Sequence, residues 1–287
     1  MASPSSHPLP SEPALGADVG ATLIKLAIRN GSGETELESA PAEALDDVAR
    51  RVSSLQPLRI ALTGGGAGRL ARLIPADTAR VQEFEAWGTG AHRMLRQAGS
   101  HTERFLLVSV GTGTSAMLVD GGEVRRVGGT ALGGGTVLGL GAALLGTRRF
   151  DDIANLAREG DRRRVDLLVS DIYGDEQFSL PGDVNAASFA KLASVPSDAT
   201  ADRRDLAHSV MGLVGENVGL ICCGLAAATK VERIVFGGST LRDNDALVQI
   251  LGGACRALGR EPLFLPGGEF AGAIGALELS GVATRVG

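Results

Sequence analysis

Three stretches of the chain combine residue types that could handle a polyphosphate and activate an alcohol. The first is residues 16–25, GADVGATLIK, with one carboxylate (Asp18), a small-residue turn through Gly20, Ala21 and Thr22, and one ammonium (Lys25). A carboxylate can hold Mg²⁺ directly or through water, while a threonine hydroxyl and a lysine can reach terminal phosphate oxygens. The same types also build an ordinary hairpin with a solvated lysine and a turn-stabilising aspartate, so this stretch leaves both readings open. It is not a Walker loop, because no GxxxxGK[ST] precedes a helix. The second stretch, residues 80–87 (RVQEFEAW), reads as a strand carrying two carboxylates. On an alternating strand Glu83 and Glu85 share a face, so geometry does not choose between them, and both are equally readable as solvated edge charges.

The third stretch, residues 105–146, is the centre of the chain. An apolar run over 105–110 predicts a strand that delivers the turn GTGTS at 111–115. A return strand at 116–119, a DGG turn and a further strand at 123–127 lead to GGTALGGGT, which opens a helical pattern over 137–145. Two glycine turns separated by a hairpin can both present backbone N–H groups to anionic oxygen, because glycine lets the main chain approach closely. The helix opening adds to that attraction. Together these features predict a polyphosphate site.

The elements that must position these residues follow a repeating order. Strands at 14–19 and 23–29 precede a helix over 41–55, and a strand at 59–62 ends in TGGGAG before a helix at 68–73. After Phe105 hairpin strands are again followed by helix and strand units, as if one fold had been used twice. Amphipathic helices are expected at 150–158 and 161–173, a turn at 180–183 and a helix at 186–193. The longest helical pattern spans 202–229, with Val210, Leu213, Val214, Val218 and Ile221 recurring at three and four residues and Glu216 on a solvated face. A strand at 231–236 enters Gly237-Gly238-Ser239-Thr240, a helix at 246–258 and a strand at 262–265 follow, and a helix at 271–280 rich in Ala and Gly is expected to pack close to another backbone.

Composition excludes other classes. With 287 residues, 44% of them hydrophobic, and no unbroken apolar stretch of about 18 residues, the chain reads as water-borne rather than membrane-spanning. A net charge of −5 without a concentrated Lys/Arg run, and an aromatic content of 3%, offer nucleic acid neither an electrostatic footprint nor a stacking platform. Cys222, Cys223 and Cys255 lack CxxC spacing and sit in apolar helical surroundings, so buried thiols in a reducing cytoplasm are expected. Residues 1–13 (MASPSSHPLPSEP) lack the basic and apolar parts of a signal peptide and read as a disordered tail.

The motifs resemble those of type II pantothenate kinases, members of the actin-like, sugar-kinase and Hsp70-type ATPase fold. The carrying residues are 16–25 (GADVGATLIK), 63–68 (TGGGAG), 82–86 (QEFEA), 110–115 (VGTGTS), 125–135 (RRVGGTALGGG), 138–140 (LGL), 181–183 (PGD) and 270–277 (FAGAIGAL). They run in the family's order over nearly the whole chain after Ala14. The resemblance implies an α/β chain of two RNase H-like (actin-like ATPase) domains, residues 14–104 and 105–287, with mixed sheets flanked by helices and a nucleotide cleft between them. It also implies ATP- and Mg²⁺-dependent phosphorylation of the terminal primary hydroxyl of pantothenate, or of a pantetheine-like molecule, as the opening step of coenzyme A synthesis.

Carried over residue by residue, the first phosphate motif falls on Gly20, Ala21, Thr22, Leu23, Ile24 and Lys25, with Lys25 towards the γ-phosphate and Asp18 towards the metal. Glu83 matches the family's catalytic base, which breaks its tie with Glu85. Thr112 and Ser115 fall in the second phosphate and acceptor region, and Arg126 matches an arginine that holds the carboxylate or amide portion of pantothenate. Gly134, Gly135 and Thr136 match the nucleotide loop, while Phe150, Gly238 and Ser239 lie where the family lines its adenosine pocket. Where the family has two consecutive glycines, this chain has Gly20-Ala21. The family's dimers pack long second-domain helices together, so the apolar stripe of 202–229 is either a homodimer face or internal core. The rivals are an amino-sugar kinase of the same fold, against which no HxCx-type zinc cluster is present, and an ATP-binding pseudokinase or regulator, against which Glu83 and Lys25 count.

Overall fold

The computed structural model describes residues 12–174, 181–194 and 200–281. The expected tail at 1–13 therefore lies almost wholly outside the described residues, as does the first residue of the expected turn at 180–183. The chain divides into two compact units, one comprising residues 1–104, 119–125 and 267–287 and the other 105–118 and 126–266.

In the first unit, β1 (Ala14–Val19), β2 (Leu23–Arg29) and β3 (Thr35–Pro41) form an antiparallel meander. After α1 (Leu45–Leu55), β4 (Arg59–Thr63) lies parallel to β1, and after α2 (Ala67–Ala71), β5 (Ala79–Arg80) lies parallel to β4. The sheet order is β3-β2-β1-β4-β5, and α3 (Glu83–Gln97) follows. Every residue of β1 is buried, as a central strand covered on both faces requires, whereas β3 is largely exposed at the edge. Leu15, Ala17 and Val19 point one way into a core with Val48 and Val52 of α1 and Leu70 of α2. This period-two alternation leaves Gly16 and Asp18 on the other face.

The second unit repeats the plan. β6 (Arg104–Val110), β7 (Thr114–Asp120) and β8 (Glu123–Thr130) are successive neighbours, and α4 (Gly134–Leu140) runs on through a π-helical turn at Gly141–Leu145. Then come α5 (Phe150–Glu159), the short β9 (Leu167–Leu168), α6 (Val169–Tyr173) and β10 (Asn185–Ala187), and α7 (Arg203–Ala228). β11 (Arg233–Gly237) lies parallel to β6, and after α8 (Asp245–Ala257), β12 (Glu261–Phe264) lies parallel to β11. The order β12-β11-β6-β7-β8, read from its other edge, matches that of the first sheet strand for strand. One α/β plan is indeed used twice, with mixed sheets flanked by helices. Helix α7 is long and apolar enough to cross a bilayer by length and composition, but Val210, Val214, Val218 and Cys222 are spent in the core of this unit.

Two expected helices, at 161–173 and 186–193, are broken into short pieces: a 3-10 turn at Arg162–Arg164, β9 and the five-residue α6 in the first, and the end of β10 and a 3-10 turn at Ala190–Ser194 in the second. Asp166 is the reason: fully buried, it accepts hydrogen bonds from the Phe189 amide (2.9 Å) and the Ser209 hydroxyl and pairs with Arg162 Nε at 3.1 Å, which ties these segments to α7. Glu216, expected on a solvated face, pairs with the same Arg162.

The last helix, α9 (Ala271–Leu279), groups with the first unit rather than with 105–266 as the boundary at 105–287 anticipates. It covers the second face of the first sheet at backbone distance. A Cβ on Gly16 would stand 2.2 Å from the Ala273 carbonyl oxygen, one on Gly90 1.8 Å from that of Ala271, and one on Gly275 1.7 Å from that of Ala86. Only glycines allow this contact, so the Ala/Gly composition of α9 is the packing signal it promised.

Candidate active site

In the first unit, the turn between β1 and β2 is closed by the Gly20 N–H donating to the Leu23 carbonyl at 3.0 Å. Strand register sets Asp18 opposite Lys25 on one side and opposite Thr63 on the other. Both charged side chains are buried, with Lys25 Nζ 3.8 Å from Asp18 Oδ2. Burial pushes the Asp18 carboxyl pKa up, and the Lys25 charge pulls it back. Glycines make room for the carboxylate: a Cβ on Gly64 would lie 2.7 Å from Oδ1, and one on Gly272 2.7 Å from Oδ2. Gly64 also has φ of +85°, which favours glycine. Lys25 Nζ lies 3.5 Å from the point where a Gly20 side chain would begin, so the ammonium sits against the turn.

Glu83 is not on a strand. β5 stops at Arg80, Gln82 is extended (φ −60°, ψ 131°), and Glu83 is the first residue of α3, where a carboxylate suits the unpaired N–H groups of the helix start. At about 100° per residue, Glu83 and Glu85 point to nearly opposite sides of the helix, so the tie that strand geometry left open does not exist. Glu83 is exposed by surface area, yet the protein mass around its carboxyl and the charge of Asp18 raise its pKa above the ordinary 4.5, with Lys25 acting in the opposite direction. Asp18, Lys25 and Glu83 thus lie within electrostatic reach of one another. Beside Glu83 opens a hollow of about 450 Å³ lined by Gly64, Gly65, Arg80, Val81 and Gln82. A second, of about 250 Å³, borders Gly20, Ala21, Gly65, Gly66 and Arg69.

The second unit gathers three glycine turns. The Gly134 and Gly135 amides donate to the Gly111 and Thr112 carbonyls at 2.8 and 2.9 Å, and the Thr240 hydroxyl donates to the Gly111 carbonyl at 2.8 Å. Thr114 Oγ1 donates to Leu132 at 2.8 Å, and Thr136 Oγ1 to Ala131 at 3.2 Å. Gly238, with φ of +115°, lies where a Cβ would stand 2.3 Å from the Val110 carbonyl oxygen. Thr112, Gly134, Gly135, Thr136, Gly238 and Ser239 are therefore neighbours through their main chains. Ser115 and Arg126 meet beside Gly129, where a Cβ would lie 3.3 Å from Ser115 Cα and 2.8 Å from Arg126 Nη2. Phe150 stands outside this hydrogen-bonded cluster, half-buried against the core.

The Fumble family profile matches residues 42–278. A type II pantothenate kinase of Staphylococcus haemolyticus is 33% identical over 266 residues, covering 93% of this chain and 99% of the relative. The chain belongs to the type II pantothenate kinase family. A Staphylococcus aureus (strain USA300) type II pantothenate kinase is 34% identical, with 92% and 98% coverage. Among solved structures, component A of the Acidaminococcus fermentans (R)-2-hydroxyglutaryl-CoA dehydratase has a TM-score of 0.63 at 18% identity, covering 94% of this chain and 98% of that one. A ROK family glucokinase from Streptomyces griseus, in complex with glucose and AMPPNP, has a TM-score of 0.58 at 13% identity, covering 93% and 99%. These likenesses establish the actin-like ATPase fold.

Against the type II pantothenate kinase pattern, Ala21 needs no special backbone: it is exposed and has no positive φ, so its methyl is accommodated without strain. Leu23 is half-buried, and Thr22 accepts at its carbonyl from the Ala42 amide at 2.9 Å. Ile24 is fully buried in the core, so its side chain serves packing. Sequence reasoning overlooked Thr240 and Thr114, whose hydroxyls tie the turns together. Their only signal was a hydroxyl residue beside a glycine turn.

Proposed function

We propose that the chain transfers the γ-phosphoryl group of ATP to the terminal primary hydroxyl of pantothenate, with Glu83 as general base. The observation that carries this reading is a carboxylate of raised pKa at the start of α3, beside the buried Lys25–Asp18 pair, in a member of this family. The alcohol oxygen bonds to the γ-phosphorus, the bond from that phosphorus to the β–γ bridging oxygen breaks, and ADP leaves with the electron pair. Glu83 accepts the alcohol proton as the new bond forms. Its raised pKa makes it a stronger base than an ordinary glutamate. Lys25 neutralises charge on the transferring group, and the amides of the second unit's glycine turns, with Gly134, Gly135, Gly238 and Ser239, bind the nucleotide.

Magnesium fits the donors present. Among the described residues no three His, Cys, Asp or Glu form a cage, but Mg²⁺ is ordinarily held by one or two carboxylates together with phosphates and water, and Asp18 supplies a buried carboxylate of that kind. When bound it would supply charge neutralisation at the phosphates.

Arg126, exposed and without an ion pair among the described residues, suits a planar carboxylate or amide of the acceptor. Arg126→Ala is expected to raise the pantothenate KM by about tenfold or more while that for ATP stays within about twofold; steady-state kinetics giving equal effects on both would contradict the assignment. A homodimer through α7 is supported by its exposed Leu220, Ile221 and Gly224, with Leu220 54% exposed. Sedimentation at micromolar concentration should read twice the chain mass, and a single-chain mass would remove this part of the proposal. The activity itself is tested by coupled ADP release with pantothenate, pantetheine, N-acetylglucosamine or no acceptor. Turnover on the sugar alone would favour an amino-sugar kinase, and ATP binding without turnover a regulator.

A further inference from the structure

In the second unit the ladder between β11 and β6 ends with Gly237 opposite Ser109. Beyond that pair the chains part, one into the glycine turn at 111–113 and the other into the turn at 238–241. Among the described residues no main-chain hydrogen bond joins these two turns. The tie between them is a side chain. Thr240 Oγ1 donates to the Gly111 carbonyl at 2.8 Å, and the same carbonyl accepts from the Gly134 amide at 2.8 Å. One oxygen, with both of its lone pairs engaged, thus gathers all three turns.

The surroundings are built for that hydroxyl. Thr240 is 4% exposed, and a Cβ on Gly134 would stand 2.5 Å from its Oγ1, so glycine at 134 leaves the space that the hydroxyl fills. Behind it Asn244, 1% exposed, donates from Nδ2 to the Thr240 carbonyl at 3.1 Å. The same asparagine accepts the Leu247 amide at 3.3 Å as the N-cap of α8. Thr240 is therefore anchored to α8 on one side while it holds Gly111 on the other. An exposed hydroxyl would give up its partner to water at little cost. A buried one has no such substitute, so its removal leaves the turns untied.

We propose that Thr240 is a positioning residue for the nucleotide, setting the spacing between Gly238 and Ser239 on one turn and Thr112, Gly134, Gly135 and Thr136 on the others. It acts through those turns rather than by touching ATP. The proposal deepens the function above and rests on its assignment of these turns to the nucleotide. A spacing fixed in advance spares the ligand the cost of ordering the turns, so loss of the tie falls on nucleotide affinity. The Thr240 carbonyl and its bond to Asn244 remain when the hydroxyl is removed, which separates the tie from the anchor.

The test compares two pairs that differ in the hydroxyl at nearly constant shape: wild type against Thr240→Val, and Thr240→Ser against Thr240→Ala. Calorimetric titration of the full chain with AMPPNP is expected to show about tenfold weaker binding in the member of each pair that lacks the hydroxyl. In ADP-release kinetics the KM for ATP should rise by a similar factor while that for pantothenate stays within about twofold. Thr240→Ser should restore most of the affinity that Thr240→Val loses. If valine unfolds the chain, the serine and alanine pair decides. AMPPNP affinities within about twofold across the pairs, or an equal rise in both KM values, would overturn the positioning role. A wild-type chain that binds no AMPPNP would overturn the assignment of the turns to the nucleotide, and this inference with it.

Discussion

Glu83→Gln should lower kcat about 10³-fold with pantothenate as acceptor while the KM for ATP stays within about twofold. The substitution keeps the shape of the side chain and removes its capacity to take a proton. Because burial and the Asp18 charge hold the Glu83 pKa above 4.5, the ionised base is lost as pH falls through a value higher than that of an ordinary glutamate. The acid limb of the wild-type kcat/KM profile should therefore lie above that of an unperturbed glutamate and disappear in the variant. The same shift has a sign for stability. A carboxyl whose folded pKa is raised is more stabilising when protonated, and that contribution is lost as pH rises through the folded value. Glutamine carries no charge for burial or Asp18 to penalise, so Glu83→Gln should melt no lower than wild type. A variant that retains turnover, or that loses activity together with its melting temperature, would remove Glu83 from the mechanism.

Lys25→Met should lower kcat/KM by about 10²- to 10³-fold, the scale of removing one preorganised charge-stabilising group. It also has a cost in the fold that Glu83→Gln does not. Asp18 and Lys25 are both buried, so removing the ammonium leaves a carboxylate without its counter-charge, at about 3 kcal/mol. Asp18→Asn should cost a similar amount by stranding the lysine. The double variant, with neither charge, should regain most of that stability in urea denaturation and none of the activity. Additive losses of stability would mean that the pair does not interact, and recovered activity would mean that Lys25 serves the fold alone.

Part of the site was legible because its signal is local. Gly20 to Thr22, the GTGTS turn and the GGST turn each announce themselves as small residues at the end of an apolar run, and each begins as a turn between regular elements. The repeated order of hairpin strands and helices was visible for the same reason, since alternation and helical spacing are short-range patterns. Glu83 was misread as a strand residue because the alternation of Val81, Glu83 and Glu85 with polar and apolar neighbours imitates a strand over a few residues. The ladder to β4 ends with β5 at Arg80, and the acidic pair then serves a helix start.

What the residues alone determined is the inventory: which carboxylates, hydroxyls and cations exist, which turns carry them, and that one plan occurs twice. What required the tertiary structure is every relation set by residues distant in the chain. The return of α9 to the first sheet, the burial of the Ile24 side chain, and the raised carboxyls of Asp18 and Glu83 all depend on burial and approach between separated segments. Those quantities belong to packing, and no window of sequence contains them.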